Sequence, residues 1–179
     1  MLRDYFYPAT CPLNLGGQEK RVRFSLNALL CLEMTFRPLG EILETPAEQW
    51  DMKTVCQLVR AACCSLPENH AAVAHWDFNA VQPDLADIGE MITPDCLPRL
   101  RRELAEAILS ALPPPSPEAE DSGAAMNEGH LLALCVDVMG IPQTELQAMT
   151  HREIRSRVEH WEEVKGLKKP AVRVKEYED

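Results

Sequence analysis

The sequence predicts a mainly α fold: a small helical domain with one short N-terminal strand, a linker, and a C-terminal helical appendage. Three observations point there. Leu and Ala dominate the apolar set while aromatic residues make up only 6%, a mix that suits helices better than a sheet sandwich. Apolar residues recur at three- and four-residue spacing through most of the chain, the period of a helix with one buried face. Helix starts are written as capping signals at Thr45-Pro46-Ala47-Glu48 and at Thr150 with Glu153.

Taken in order, residues 1–20, with Pro8, Pro12, Gly16 and Gly17, read as an irregular lead-in, and Gly16-Gly17 as a turn signal. Arg21-Val22-Arg23-Phe24 alternates polar and apolar, which predicts the single strand. Ser25 or Asn27 then caps a helix to about Phe36, with Leu26, Leu29 and Phe36 inward, and Pro38 and Gly40 interrupt it. Thr45 as cap, Pro46 at the first helical position and Glu48 closing a capping box predict a helix over about 46–65. Its inner positions are Val55, Leu58, Val59, Ala62 and Leu66, and Pro67 stops it. Residues 67–83 read as a loop with one short helical turn at most. Asp84 to Ile92 predicts a short helix burying Leu85, Ile88 and Ile92. Thr93-Pro94 opens another to about Leu112, with the stripe Leu97, Leu100, Leu104, Ile108, Leu112; Pro98 in its first turns delays the start.

The sharpest boundary is the stretch PPPSPEAEDSGAAMNEG, which has almost no apolar surface to bury and predicts a flexible linker. The expected organisation is therefore a main domain at 1–112, a linker at 113–129, a C-terminal module at 130–165 and a charged tail at 166–179. The module divides into a helix over 130–139, a turn at Gly140-Ile141-Pro142, a short helix to Met149, and a last helix from Thr150 to about Val164 with the narrow stripe Ile154, Val158, Trp161. There is no repeat at a solenoid period.

Charge narrows the function. The net charge of -10 repels phosphate backbones and anionic bilayers alike, which argues against general nucleic-acid or membrane-surface binding. No segment approaches the roughly 20 apolar residues that cross a bilayer. Met1 to Pro12 lacks a basic region followed by an apolar run, so no signal peptide is expected and a cytoplasmic location is. Seven cysteines, an odd number with Cys63 and Cys64 adjacent, fit reduced thiols used as small hydrophobes.

Catalytic patterns are weak. Cys63, Cys64, His70 and His75 lie close in sequence, but adjacent cysteines rarely ligate one ion and no CxxC pair exists, so no metal and no cofactor is expected. No glycine-rich phosphate loop, Gly-x-Ser-x-Gly elbow or His-Glu-x-x-His occurs. Arg152, Arg155 and Arg157 cluster as in a DNA-reading helix, yet Glu159, Glu162 and Glu163 follow on the same helix, which predicts a solvated face with ion pairs. A non-enzyme is the expectation.

The segment His130 to Met139 is apolar almost all round. Leu131, Leu134, Cys135 and Val138 are expected on one side and Leu132, Val136 and Met139 on the other. An appendage of about 40 residues has too little material to bury both sides. One side is therefore expected either to dock on the main domain or to bind another chain.

Three stretches carry a family resemblance. Val22-Arg23-Phe24-Ser25-Leu26-Asn27-Ala28-Leu29, then Leu32-Glu33 and Leu39-Gly40-Glu41-Ile42-Leu43, resembles the opening of the tail assembly chaperones of long-tailed bacteriophages. Met52 to Ala62 followed by Leu85 to Ile92 is similar to that family's next helices. Met139-Gly140-Ile141, Glu145-Leu146 and Met149-Thr150-His151-Arg152-Glu153-Ile154 resembles its C-terminal module. The resemblance implies a protein that coats the helical tape measure protein through the main domain. The C-terminal module then recruits tail tube subunits, with self-association as a further expectation. It implies action in the host cytoplasm and absence from the mature virion. Expected protein-binding residues are Leu132, Val136, Met139, Ile154 and Trp161, while Phe24, Leu29 and Phe36 are expected mainly as core. A structural tail or head-completion protein and a small cysteine-dependent enzyme remain alternatives.

Overall fold

The computed structural model describes residues 10–15, 17–112 and 132–167. The chain is mainly helical, and where the sequence predicts one strand there are two, β1 (Cys11–Leu15) and β2 (Gln18–Val22). They pair antiparallel, Cys11 opposite Val22 and Leu15 opposite Gln18. Gly17, just before β2, holds φ +79, a backbone that favours glycine. Cys11, Leu13 and Val22 are buried, so both strands turn one face to the core. Pro12 hid β1 in the sequence. A two-stranded ribbon consists only of edges, where proline is tolerated.

Helix α1 (Leu26–Thr35) starts at Ser25, whose hydroxyl accepts from Ala28 N–H at 3.3 Å. Its sealed face is Ala28, Cys31 and Leu32. This corrects the expected inner set, since Leu29 and Phe36 are only half-buried and Leu26 turns to a different cluster. Small Ala28 and Cys31 at the centre of the stripe let α1 lie against the central helix.

The start expected at Thr45 is also corrected. After α2 (Leu39–Leu43) comes a 3-10 turn, Ala47–Gln49, and then α3 (Met52–Cys63), capped by Asp51, whose carboxylate accepts from Thr54 N–H at 2.7 Å. Trp50 breaks the run. It is buried, and its indole N–H donates to the Ile42 and Thr45 carbonyls at 3.2 and 3.1 Å. Anchoring that ring holds the Trp50 backbone extended (φ -58, ψ 127), out of any helix. The positions expected to be inward, Val55, Leu58, Val59, Ala62 and Leu66, are all buried. Every residue over 54–63 is buried, because α1, α5 (Leu85–Met91) and α6 (Leu97–Ala111) pack around α3. A sealed side chain such as Leu58 or Ile108 contributes roughly 1.5–3 kcal/mol.

Between α3 and α5 the loop is more ordered than expected. It holds 3-10 turns at Pro67–Asn69 and Phe78–Ala80 and a short α4 (His70–Ala74). Arg60, buried on α3, donates to the Phe78 and Asn79 carbonyls at 3.0 and 3.1 Å. Asp84 caps α5 by accepting from Ala86 and Asp87 N–H, and α6 begins at Leu97 with Pro98 in its first turn.

The C-terminal part has its own core of Cys135, Ile141, Leu146, Met149, Ile154 and Val158. It consists of a π-helical turn (Leu134–Val138), a short helix (Gln143–Ala148) and a last helix (His151–Val164) with the expected Thr150/Glu153 capping box. The stretch expected as a linker, 113–129, lies outside the described residues, as does the tail beyond Leu167.

Candidate functional site

The C-terminal unit meets the main unit where helix ends converge. The first N–H groups and last carbonyls of a helix lack partners inside it. At this joint each unit supplies partners for the other. Leu26 N–H, in the first turn of α1, donates to the Met149 carbonyl at 2.8 Å. Arg23, just upstream, donates to the Ala148 carbonyl at 2.7 Å, at the end of the short helix. The same guanidinium pairs with Glu153 at 3.4 Å. Glu153 also accepts from Thr150 N–H at 2.6 Å, so one carboxylate caps its own helix and ties the two units. On the other side, Arg152 donates to the Leu112 and Leu109 carbonyls at 3.0 and 3.5 Å, at the end of α6. Two of the stretches that carry the family resemblance, around Arg23–Leu26 and Met149–Glu153, are thus in direct contact.

Two of the three arginines that suggested a DNA-reading helix are used within the chain. Arg152 closes α6, and Arg157 pairs with Glu145 at 2.9 Å. The expected ion pairing is there, but it runs between elements.

The expected binding residues separate into two groups. Leu132 and Met139 lie half-buried against the small core, beside Leu134, and Cys135 is fully sealed. Val136 is 38% exposed and Val138 57%. The two-sided division expected for this segment is therefore corrected: Leu132 and Met139 move to the packed side and Val138 to the open one. Leu132, Cys135 and Met139 stand at i, i+3 and i+7, one helical face, and a π turn runs through the same segment. Its bond from Met139 N–H to the Leu134 carbonyl, at 3.0 Å, spans one residue more than an α-helical bond. Ile154 is 1% exposed, so it serves packing and offers no free surface in this conformation, while Trp161 is half-buried. Phe24 is sealed in the main core, as expected.

Sequence reasoning missed Trp76. It is 54% exposed at φ +59 and ends α4, donating to the Val73 carbonyl at 3.0 Å, while Asp77 N–H reaches Ala72 at 2.9 Å. Its ring stands edge-on to Phe78, 6.2 Å between centroids. No residue pattern signals an exposed tryptophan in a position that favours glycine.

Cys11, Cys63 and Cys64 are poorly placed for nucleophilic chemistry, whereas the hydrogen bond with Cys64 lowers the pKa of the buried Cys31 thiol. Cys63 is fully sealed, and burial pushes its pKa up to about 12. Cys11 is pushed to about 12 by burial as well, with Glu103 adding to it. Cys64 shares a hydrogen bond with the Cys31 thiol inside the core, and that bond together with burial raises it further. A thiolate is the reactive form, and burial in apolar surroundings suppresses it. Cys63, Cys64, His70 and His75 do not assemble: among the described residues no three His, Cys, Asp or Glu side chains come close enough to hold a metal ion. A shallow cavity of about 130 Å³ lies between α2 and α3, lined by Arg37, Ile42, Thr45, Gln49, Trp50, Asp51 and Thr54. It has room for a few waters and falls short of the roughly 300–1,000 Å³ of a small-molecule site. Asp51 there is held below the usual carboxylate range by its hydrogen bonds from Thr54, and Arg37 donates to the Thr54 hydroxyl at 2.9 Å. Among the described residues no helix is long and apolar enough to cross a membrane. Compared with known proteins, the chain matches no family model, no curated protein and no solved structure.

Proposed function

We propose that this chain is a non-catalytic tail assembly chaperone of a long-tailed phage, acting in the host cytoplasm. It holds the tape measure protein through apolar helical surface, and its C-terminal unit brings in tail tube subunits. The observation that carries the reading is the apolar surplus of the small unit, where Val136 and Val138 stand exposed beside a core of only six buried residues. Such a surface suits a partner helix. Each contact is allowed to be weak, because many copies on one long partner give avidity. The acidic balance keeps a loaded assembly dispersed. The sealed thiols at Cys63 and Cys64 weigh against a cysteine-dependent enzyme.

Co-expression with the tape measure protein of the same genome tests this. The wild-type chain keeps the tape measure soluble and co-purifies with it. Tail tube subunits added to that complex are retained by the wild-type chain, whereas Val136→Asp together with Val138→Asp, at exposed positions of the C-terminal unit, abolishes their retention while the tape measure stays bound. Failure of the wild-type chain to retain the tape measure protein, or equal recruitment of tube subunits by the double variant, overturns the reading. Recovery of the chain from purified particles would assign it instead to the structural components of the virion.

A further inference from the structure

The two units are joined by helix ends and share almost no core. The buried set of the main unit contains no residue of the C-terminal unit, and the reverse also holds. Leu26 alone reaches across, half-buried against the smaller cluster. The rest of the joint is polar: Leu26 N–H to Met149, Arg23 to Ala148 and Glu153, and Arg152 to the end of α6. Arg23 and Glu153 keep 31% and 22% of their side-chain surface, so water stands ready to replace each in the other's contacts. Polar interfaces within a chain allow bodies to move relative to one another. Packed units also open locally with free energies of their own.

We infer that the C-terminal unit is a displaceable cover on the N-terminal turn of α1, with Arg23 as its latch. The unit leaves as one piece while the core around α3 stays folded. Opening uncovers the Leu26 side chain, releases its N–H and frees the Arg23 guanidinium. Glu153 keeps its bond to Thr150 N–H, so the last helix stays capped when the latch is open. The inference goes beyond the chaperone reading and stands or falls separately from it, because no partner is involved.

Native-state hydrogen exchange on the full chain tests it. In the native protein the Leu26 amide, bonded across the joint to Met149, exchanges faster than those of Leu58 and Val59, and faster than those of Ile154 and Val158, which stay bonded within the departing unit's own helix. Arg23→Ala removes one charged bond and one ion pair. It speeds exchange of the Leu26 amide by roughly tenfold and leaves Leu58, Val59, Ile154 and Val158 unchanged. Three results overturn the inference: exchange of all five amides through one common opening in the native protein, a variant that speeds Leu58 and Val59 as much as Leu26 or speeds none of them, and a Leu26 amide as protected as those of Leu58 and Val59. Should Arg23→Ala fail to fold, the native comparison alone decides.

Discussion

Asn69 gives the most direct test of how the main unit is held. Its side chain is 2% exposed and makes three hydrogen bonds. The amide nitrogen donates to the Cys63 carbonyl at 2.8 Å and to the Gln82 carbonyl at 2.9 Å. The amide oxygen accepts from Gln82 N–H at 3.0 Å. One side chain thereby closes the end of α3 and pins the far end of the 67–83 loop. Asn69→Ala deletes all three bonds, while the Cys63 carbonyl keeps its bond from Leu66 N–H at 3.0 Å and Gln82 is exposed to water. At about 1 kcal/mol for each bond, the loss is about 3 kcal/mol. With a urea slope of about 2 kcal/mol/M, the unfolding midpoint falls by about 1.5 M. Asn69→Asp is harsher still at neutral pH. A carboxylate keeps the bond from Gln82 N–H but sets negative charge against the Cys63 and Gln82 carbonyl oxygens. Urea denaturation followed by far-UV circular dichroism measures both variants. A midpoint shift under about 0.5 M for Asn69→Ala, or an Asp variant as stable as the wild type, would refute the reasoning.

Two further predictions concern the thiols and the last helix. Burial raises Cys11 and Cys63 from the ordinary 9.0 to about 12, so the unfolded chain ionises first as pH rises. Stability from these groups is complete below about pH 9 and is lost between 9 and 12. The urea midpoint should drop between pH 8 and pH 10, less steeply in Cys63→Ala, and a flat profile in the wild-type chain would refute the assignment. Thr150→Ala removes a buried cap that accepts from Glu153 N–H at 3.2 Å. It should destabilise the C-terminal unit by about 1 kcal/mol, whereas Thr150→Ser should cost a few tenths at most. Exchange rates of the last helix report it, and equal effects of the two substitutions would sink the capping account.

How much of this was legible in the sequence depends on where each signal is stored. Buried stripes are written in side-chain spacing, so α3, α5 and α6 and the capping box of the last helix came through. Val55, Leu58, Val59 and Ala62 were read as inward and are sealed. Three errors share a cause, which is that tertiary contacts overrode a sound local signal. Trp50 found carbonyl partners and broke the helix that Thr45-Pro46 announces. Pro12 masked a strand that pairing with β2 makes workable. A π turn runs within Leu132–Met139, and no periodic template anticipates a change of period within one turn.

The joint was invisible for a deeper reason. Its contacts use backbone atoms at helix ends, the Leu26 N–H and the carbonyls of Leu109, Leu112, Ala148 and Met149, which every sequence contains. Only the partners that reach them, Arg23, Arg152 and Glu153, appear as letters, and an arginine that closes a helix looks like one that faces water. Arg152 and Arg157 read as a solvated face and both are exposed, yet each also ties one element to another. The same logic bounds what the exposed valines mean. Leu132, Leu134 and Met139 pack inward in and beside the π turn and leave Val136 and Val138 open, so the free surface depends on how this segment is wound as well as on its hydrophobic content. A change that restores α-helical winding there would rotate different side chains outward without altering composition. Binding should follow the winding.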